Sequence, residues 1–180
     1  MYVRCIIQGG EMNETLLIQN AKRGDKDSFC TLYGIYKDRL YRYAYYRLRN
    51  ESDAEDAVSE CVLSAWKQIG GLRDDKAFAG WIFRILSGCC GRLIKEQIDR
   101  KKEADLESVP EQAEESTSQI DDMILKEALS RLTDDERNIV LLSFISGFKS
   151  NEIADITGRT AGSVRSSLSR SLKKLRGYLS

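Results

Sequence analysis

Glu55, Asp56 and Glu60 are the nearest this chain comes to a set of catalytic carboxylates, all within residues 55–60. Paired carboxylates do acid–base work when a nucleophile or second base stands beside them. No His or Lys stands beside these in sequence to activate the neighbouring Ser59 or Cys61, and His is absent from all 180 residues. The cysteines, Cys5, Cys30, Cys61, Cys89 and Cys90, show no CxxC spacing, so the usual zinc sites are not expected. An odd, scattered set suits a reducing, cytoplasmic compartment. Cys89–Cys90 reads as a pair of small buried apolar residues, with redox sensitivity as the alternative. There is no phosphate-binding glycine loop. No cofactor is expected, and an enzyme is the reading these residues support least.

The remaining chemistry is charge. Lys and Arg total 28 against 28 Asp and Glu, a formal net charge of zero that argues against a general nucleic-acid glue. The charges are segregated, however, and for nucleic acid a local patch is what counts. Residues 161–180 carry five basic side chains and no acidic one. Within them Val164, Leu168, Leu172 and Leu175 recur at helical steps and form one apolar stripe, with Arg165, Ser166, Ser169, Arg170 and Lys173 away from it. A preceding short helix carries Ile153, Ala154 and Ile156, and Gly158 supplies the turn between the two. Two helices on a tight turn, the second offering Arg and Ser outward, make the pattern of a DNA-reading helix-turn-helix. Arg can grip a guanine bidentately, and Ser lets a helix sit deep in the major groove. Charged faces that merely solvate a terminal helix are the bland alternative.

Positioning those residues requires a helical frame. A single proline and few alternating β-branched runs predict an all-α fold of two small helical domains joined by a flexible acidic linker, the C-terminal one a helix-turn-helix. Residues 14–23 form a short helix closed by Gly24. Asp25 caps a long one carrying Phe29, Leu32, Tyr33, Tyr36, Leu40, Tyr43, Ala44 and Leu48, with Tyr41, Tyr45 and Tyr46 partly off its stripe. Ser52 with Glu55 reads as a capping box for a third helix, whose outward face is acidic in its first half. A docking face and a solvated face are both open there. A fourth helix, to about residue 102, carries Phe78, Trp81, Ile82, Ile85 and Leu86 and ends basic. Aromatics beside a basic tract can stack on unpaired bases; a core with a dipole-matched C-terminus is the equal alternative. Residues 103–119 hold six acidic residues, no basic one and the only proline, and so read as the linker. In the second domain Thr133 and Glu136 form a capping box, Ser150 caps the short helix, and Thr160 caps the last. No apolar run reaches the length of a membrane span, and no membrane insertion is expected.

With both halves laid out, the chain resembles the extracytoplasmic-function (ECF) sigma factors, which have only regions 2 and 4. The matches are GDKDSFCTLY at 24–33, DAEDAVSECVLSAW at 53–66, FAGWIFRI at 78–85, ALSRLTDDERNIVLL at 128–142 and NEIADITGRTAGSVRSSLSRSLKKLR at 151–176. Each is weak alone; five in order and spacing are specific. The resemblance implies region 2 at 12–102, the linker at 103–119 and region 4 at 120–180. Core RNA polymerase, promoter DNA and an anti-sigma factor are the implied partners. Asp53, Glu55, Asp56, Ser59 and Glu60 would dock on the polymerase clamp. Lys76, Phe78, Trp81, Arg84, Ser87, Gly88, Arg92 and Lys95 would read and melt the −10 element. Thr160, Ser163, Arg165, Ser166, Ser169, Arg170 and Lys173 would read the −35 element, with Lys173 and Lys174 on phosphates. The chain departs from the family where an Asn usually helps hold a flipped −10 base, since Gly88 stands there, and Leu93 stands where an Asp is common. Ser59 likewise replaces a common Gln, and Val62 an aromatic. A stand-alone helix-turn-helix regulator is the rival, and a purely protein-binding adaptor a third reading. Residues 1–11 match nothing in the family. Gln8–Gly9–Gly10–Glu11 can be encoded by a purine-rich ribosome-binding sequence, so they are expected to be a translated leader ahead of Met12.

Overall fold

The computed structural model describes residues 14–104 and 120–179, all of whose regular structure is helical. The expected leader and most of the expected linker lie outside the described residues. Helices α1 (Glu14–Lys22), α2 (Lys26–Leu48), α3 (Glu51–Gln68) and α4 (Phe78–Ala104) form one unit, and two short 3₁₀ turns, Ile69–Gly71 and Asp75–Ala77, lead from α3 into α4. The second unit is α5 (Ile120–Ser130), α6 (Asp134–Phe144), α7 (Ser150–Thr157) and α8 (Ala161–Leu179).

The helix boundaries follow from local hydrogen bonding. Asp25 caps α2 by accepting from the Asp27 N–H at 3.2 Å, and Gly24 makes the preceding turn at φ +95°. Thr133 and Glu136 close a reciprocal capping box on α6, at 3.3 and 3.1 Å. Two expected caps move by one or two residues. Helix α3 starts at Glu51, because Asn50 accepts from the Asp53 N–H at 2.9 Å and leaves Ser52 inside the helix. Helix α7 starts at Ser150 itself; Glu152 reaches back to the Lys149 N–H at 2.7 Å and satisfies that end.

In the first unit α2 lies against α1, α3 and α4, and the apolar stripes meet in a core that includes Leu32, Leu40, Cys61, Phe78, Ile82 and Leu86. Tyr41, Tyr45 and Tyr46 are half-buried against this core, and the Tyr41 and Tyr45 rings stack at 6.0 Å. Cys61, Cys89 and Cys90 are buried free thiols, and loss of hydration pushes each pKa up. That favours inert packing over reactivity. Residues Asp75–Arg100 are long and apolar enough, by length and composition, to cross a membrane. Their apolar face is instead the core of this unit, with Phe78, Ile82, Phe83 and Leu86 at most 1% exposed.

In the second unit α6 and α7 both pack on α8 through Ile139, Leu142, Ile153, Ile156 and Val164. Buried Arg137 donates to the carbonyls of Leu129 and Leu132, both at 3.0 Å, and so satisfies the open C-terminal end of α5. Helices α7 and α8 meet at Gly158, whose φ of +69° is a left-handed conformation suited to glycine.

Candidate nucleic-acid and docking faces

Helix α8 begins at Ala161 because the Thr160 hydroxyl accepts from the Ser163 N–H at 3.2 Å. Its apolar stripe is Val164, Leu168 and Leu175, with Ser167 and Ser171 also turned inward; Ser171 Oγ satisfies itself on the Ser167 carbonyl at 2.9 Å. Ser163, Arg165, Ser166, Ser169, Arg170 and Lys173 are all exposed. The cations of this unit then divide. Lys174 pairs with Glu136 at 2.7 Å and Arg159 with Asp135, both fastening the α7–α8 segment to the first turn of α6. Lys174 is therefore engaged within the fold rather than held out for a phosphate. Lys174 also holds the Glu136 carboxyl below its usual range. Arg165, Arg170 and Lys173 have no acidic partner among the described residues, so they form an uncompensated positive edge beside three exposed serines.

Helix α3 turns Glu55, Asp56 and Ser59 to solvent. Asp53 is half-buried and accepts from Gln97 Nε2 at 2.6 Å, which ties the start of α3 to α4. Glu60 pairs with Arg92 at 2.5 Å, joining one expected docking residue to one expected DNA contact. The free acidic charge of this face is thus Glu55 and Asp56.

The expected −10 residues scatter more. Lys76 and Lys95 are exposed, whereas Phe78 is 1% exposed with its ring against Tyr36 and Trp81. Phe78 is a core residue, because the same helical period that lines up aromatics for a base also lines them up for a core. Trp81 is half-buried. Gly88 sits on an open surface, with nothing within 4 Å of where a Cβ would stand. Its neighbours are committed elsewhere: Ser87 Oγ accepts from Arg47 Nη1 at 2.8 Å, and Arg84 donates to the Asp155 carbonyl of α7.

The comparisons with known proteins bear on these faces. Residues 32–99 match the family described as Sigma-70 region 2, and residues 122–175 match Sigma-70, region 4. The chain is 30% identical over 174 residues to the ECF RNA polymerase sigma factor SigM of Mycobacterium tuberculosis, an alignment covering 94% of this chain and 87% of that one. The chain belongs to the ECF sigma factors. As a sigma factor it is a transcription-initiation subunit and not an enzyme. It is also 28% identical to SigW of Bacillus subtilis, over 90% of this chain and 94% of that one. Against BldN of Streptomyces coelicolor, at 28% identity, the alignment covers 88% of this chain but spans only 63% of that protein. Among solved structures, RpoE of Bartonella quintana, in complex with the anti-sigma factor NepR, superposes with a TM-score of 0.75 at 24% identity, covering 86% of this chain and 98% of that one. CnrH, in complex with the cytosolic domain of CnrY, gives 0.73 at 20%, covering 92% and 96%. These two likenesses extend the match to the fold.

Sequence reasoning passed over two residues of this sigma factor and half the role of a third. Arg39, Tyr43 and Arg47 on α2 join the two helical units, and their only signal was a four-residue spacing. Tyr43 was read as core alone, yet its hydroxyl donates to Asn138 of α6 at 2.6 Å. Burial pushes the Tyr43 phenol up to about 12, so it stays a donor at any physiological pH.

Proposed function

We propose that this sigma factor docks on core RNA polymerase through the outward face of α3 and directs it to promoters by reading two elements, promoting strand opening at the second. Residues 12–102 act as region 2, 103–119 as linker and 120–180 as region 4. The α7–turn–α8 segment acts as the helix-turn-helix, with α8 in the −35 major groove. The observation that carries this reading is the α8 face: Arg165, Arg170 and Lys173 stand exposed, and unpaired among the described residues, beside Ser163, Ser166 and Ser169, inside the stretch matching Sigma-70, region 4. Such a face suits phosphate neutralisation and bidentate guanine readout, while Thr160 contributes chiefly by starting the helix. Because RpoE of Bartonella quintana was solved with an anti-sigma factor, an anti-sigma partner is the natural regulator for this chain as well. The protein acts in the cytoplasm, needs no cofactor and inserts in no membrane.

At the −10 element, Gly88 leaves the site without a side chain to hydrogen-bond a flipped base. Capture then falls to stacking on Trp81 and to the basic run through Arg92 and Lys95, with Ser87 and Arg84 contributing once they leave Arg47 and the Asp155 carbonyl. Stacking accepts any base, so discrimination at that position is expected to be loose. Transcription with core polymerase from a library randomised at both elements tests the reading. Both a −10 and a −35 preference should emerge, and Gly88→Asn should sharpen the former without loss of fold, since the site has room. A library showing no −35 preference would contradict the assignment of α8. A single strictly required −10 base that survives Ser87→Ala would contradict the account of Gly88.

A further inference from the structure

Helix α1 has no part in the promoter reading above, yet it is fastened to the segment that leads into α4. Lys22 Nζ pairs with Asp75 Oδ1 at 2.9 Å and Gln19 Nε2 donates to Asp75 Oδ2 at 3.3 Å, so both carboxylate oxygens are engaged. The Lys22 and Asp75 side chains are only 25% and 18% exposed, and Lys22 holds the Asp75 carboxyl below its usual range. Beside this pair the Lys22 carbonyl lies 3.7 Å from where a Gly70 Cβ would stand, and Ile69 and Leu72 are buried in the core. At the other end of α1, Glu14 accepts from the Tyr36 hydroxyl at 2.6 Å, and the Tyr36 ring stands against Phe78, the first residue of α4. Helix α1 thus brackets the segment 70–78, directly at Gly70 and Asp75 and through Tyr36 at Phe78.

The charge this fastening leaves outside is positive. Asp74 is occupied locally, accepting from the Lys76 N–H at 3.0 Å to start the 3₁₀ turn, and Asp75 is neutralised by Lys22. Arg73 and Lys76 are exposed and, among the described residues, have no acidic partner. A solvent-accessible ion pair contributes little to the stability of a folded unit. One that pins a charged loop contributes order instead, because a loop fixed beforehand does not have to be ordered by its ligand. We propose that α1 is a positioning element for −10 capture, with Lys22 and Gln19 holding Asp75 so that Arg73 and Lys76 are presented to the backbone of the displaced strand. This role rests on the −10 reading of Lys76 above; the fastening of the loop does not. Lys22 and Gln19 act through Asp75 and need not touch the DNA.

The test uses the full chain assembled with core RNA polymerase and two fluorescein-labelled probes built on a promoter selected from the library. One is the −35 duplex alone; the other continues into a single-stranded −10 segment. Lys22→Met and Asp75→Ala each break the fastening but change the charge in opposite directions. Each should weaken binding of the forked probe about tenfold, the scale of leaving one or two side chains to be ordered on binding, and leave the −35 duplex unaffected. Lys22→Arg, which keeps the pair, should bind both probes as the native protein does. Circular dichroism establishes helicity, and Gln19→Ala replaces either single variant that loses it. Tighter binding of the forked probe by Asp75→Ala would mean that bare charge governs the site and would overturn the proposal. So would unchanged binding by both variants, or equal weakening on both probes. Arg73→Ala with Lys76→Ala is the control on the underlying reading. If that pair leaves forked-probe binding unchanged, the −10 reading of the loop fails; if the pair weakens it while Lys22→Met and Asp75→Ala do not, only the positioning role fails.

Discussion

Glu55→Lys with Asp56→Lys is expected to abolish assembly with core RNA polymerase while leaving the fold intact. These two carboxylates are the open charges of the α3 face, because Asp53 is engaged by Gln97 and Glu60 by Arg92. Both lie past the first turn of α3 and are exposed, beyond the reach of the helix dipole, so their reversal costs the fold little. A docking charge is worth more: truncating one partner of a close interfacial charge pair costs about 2–5 kcal/mol, and reversing two adds repulsion. Affinity for core polymerase should fall more than about a hundredfold by the same scale. Titration of labelled polymerase gives the affinity, and a melting curve separates it from unfolding. Near-native affinity in a folded double variant would place the docking surface elsewhere.

The second large effect concerns α8. Arg165→Ala and Arg170→Ala should each cost about 1–3 kcal/mol of promoter affinity if bidentate to a base, with specificity relaxed at one −35 position apiece. Lys173→Ala should instead weaken all sequences alike and lower the salt dependence of binding. None of the three is paired within the described residues, so their removal strands no internal partner. Lys174→Ala differs, because Lys174 pairs with Glu136 and its loss acts first on the seating of α8 against α6. Holoenzyme binding across a −35 library at two salt concentrations checks these outcomes. Identical behaviour of the Arg and Lys variants would undo the division between base reading and phosphate contact.

Hydrophobic period made the helices readable, since Phe29, Leu32, Tyr36 and Leu40, or Ile153 and Ile156, admit no other arrangement that buries them together. Caps were readable where one candidate stood alone, as with Asp25, Thr133 and Thr160. They slipped where two competed: Asn50 lies two residues before Ser52, and its side chain took the Asp53 N–H. At α7 the reach of Glu152 back to Lys149 made Ser150 unnecessary as a cap. Phe78 marks a different limit. An aromatic at helical spacing is consistent with a core or with a base, and only the arrival of Tyr36 and Trp81 around it decides. The outward residues of α8 could be read because one stripe defined its opposite. The commitment of Arg84 and Ser87 to the other unit could not, since it depends on how two separately periodic units meet. A spacing of four along α2, at Arg39, Tyr43 and Arg47, and of four along α6, at Asp134 and Asn138, becomes informative only when the faces are apposed.

The central claim is that this chain supplies promoter specificity only as part of a polymerase. Its reading elements are one exposed helix edge and one partly covered helix, and fixing their separation on DNA costs entropy that a free chain must meet alone. Permanganate reactivity of unpaired thymines on a promoter selected from the library measures this most directly. With core RNA polymerase and this protein, thymines of the −10 region should become reactive; with either component alone they should not. Sequence-specific, high-affinity binding of that DNA by the protein alone, with no opening when polymerase is added, would contradict the account and favour a stand-alone regulator.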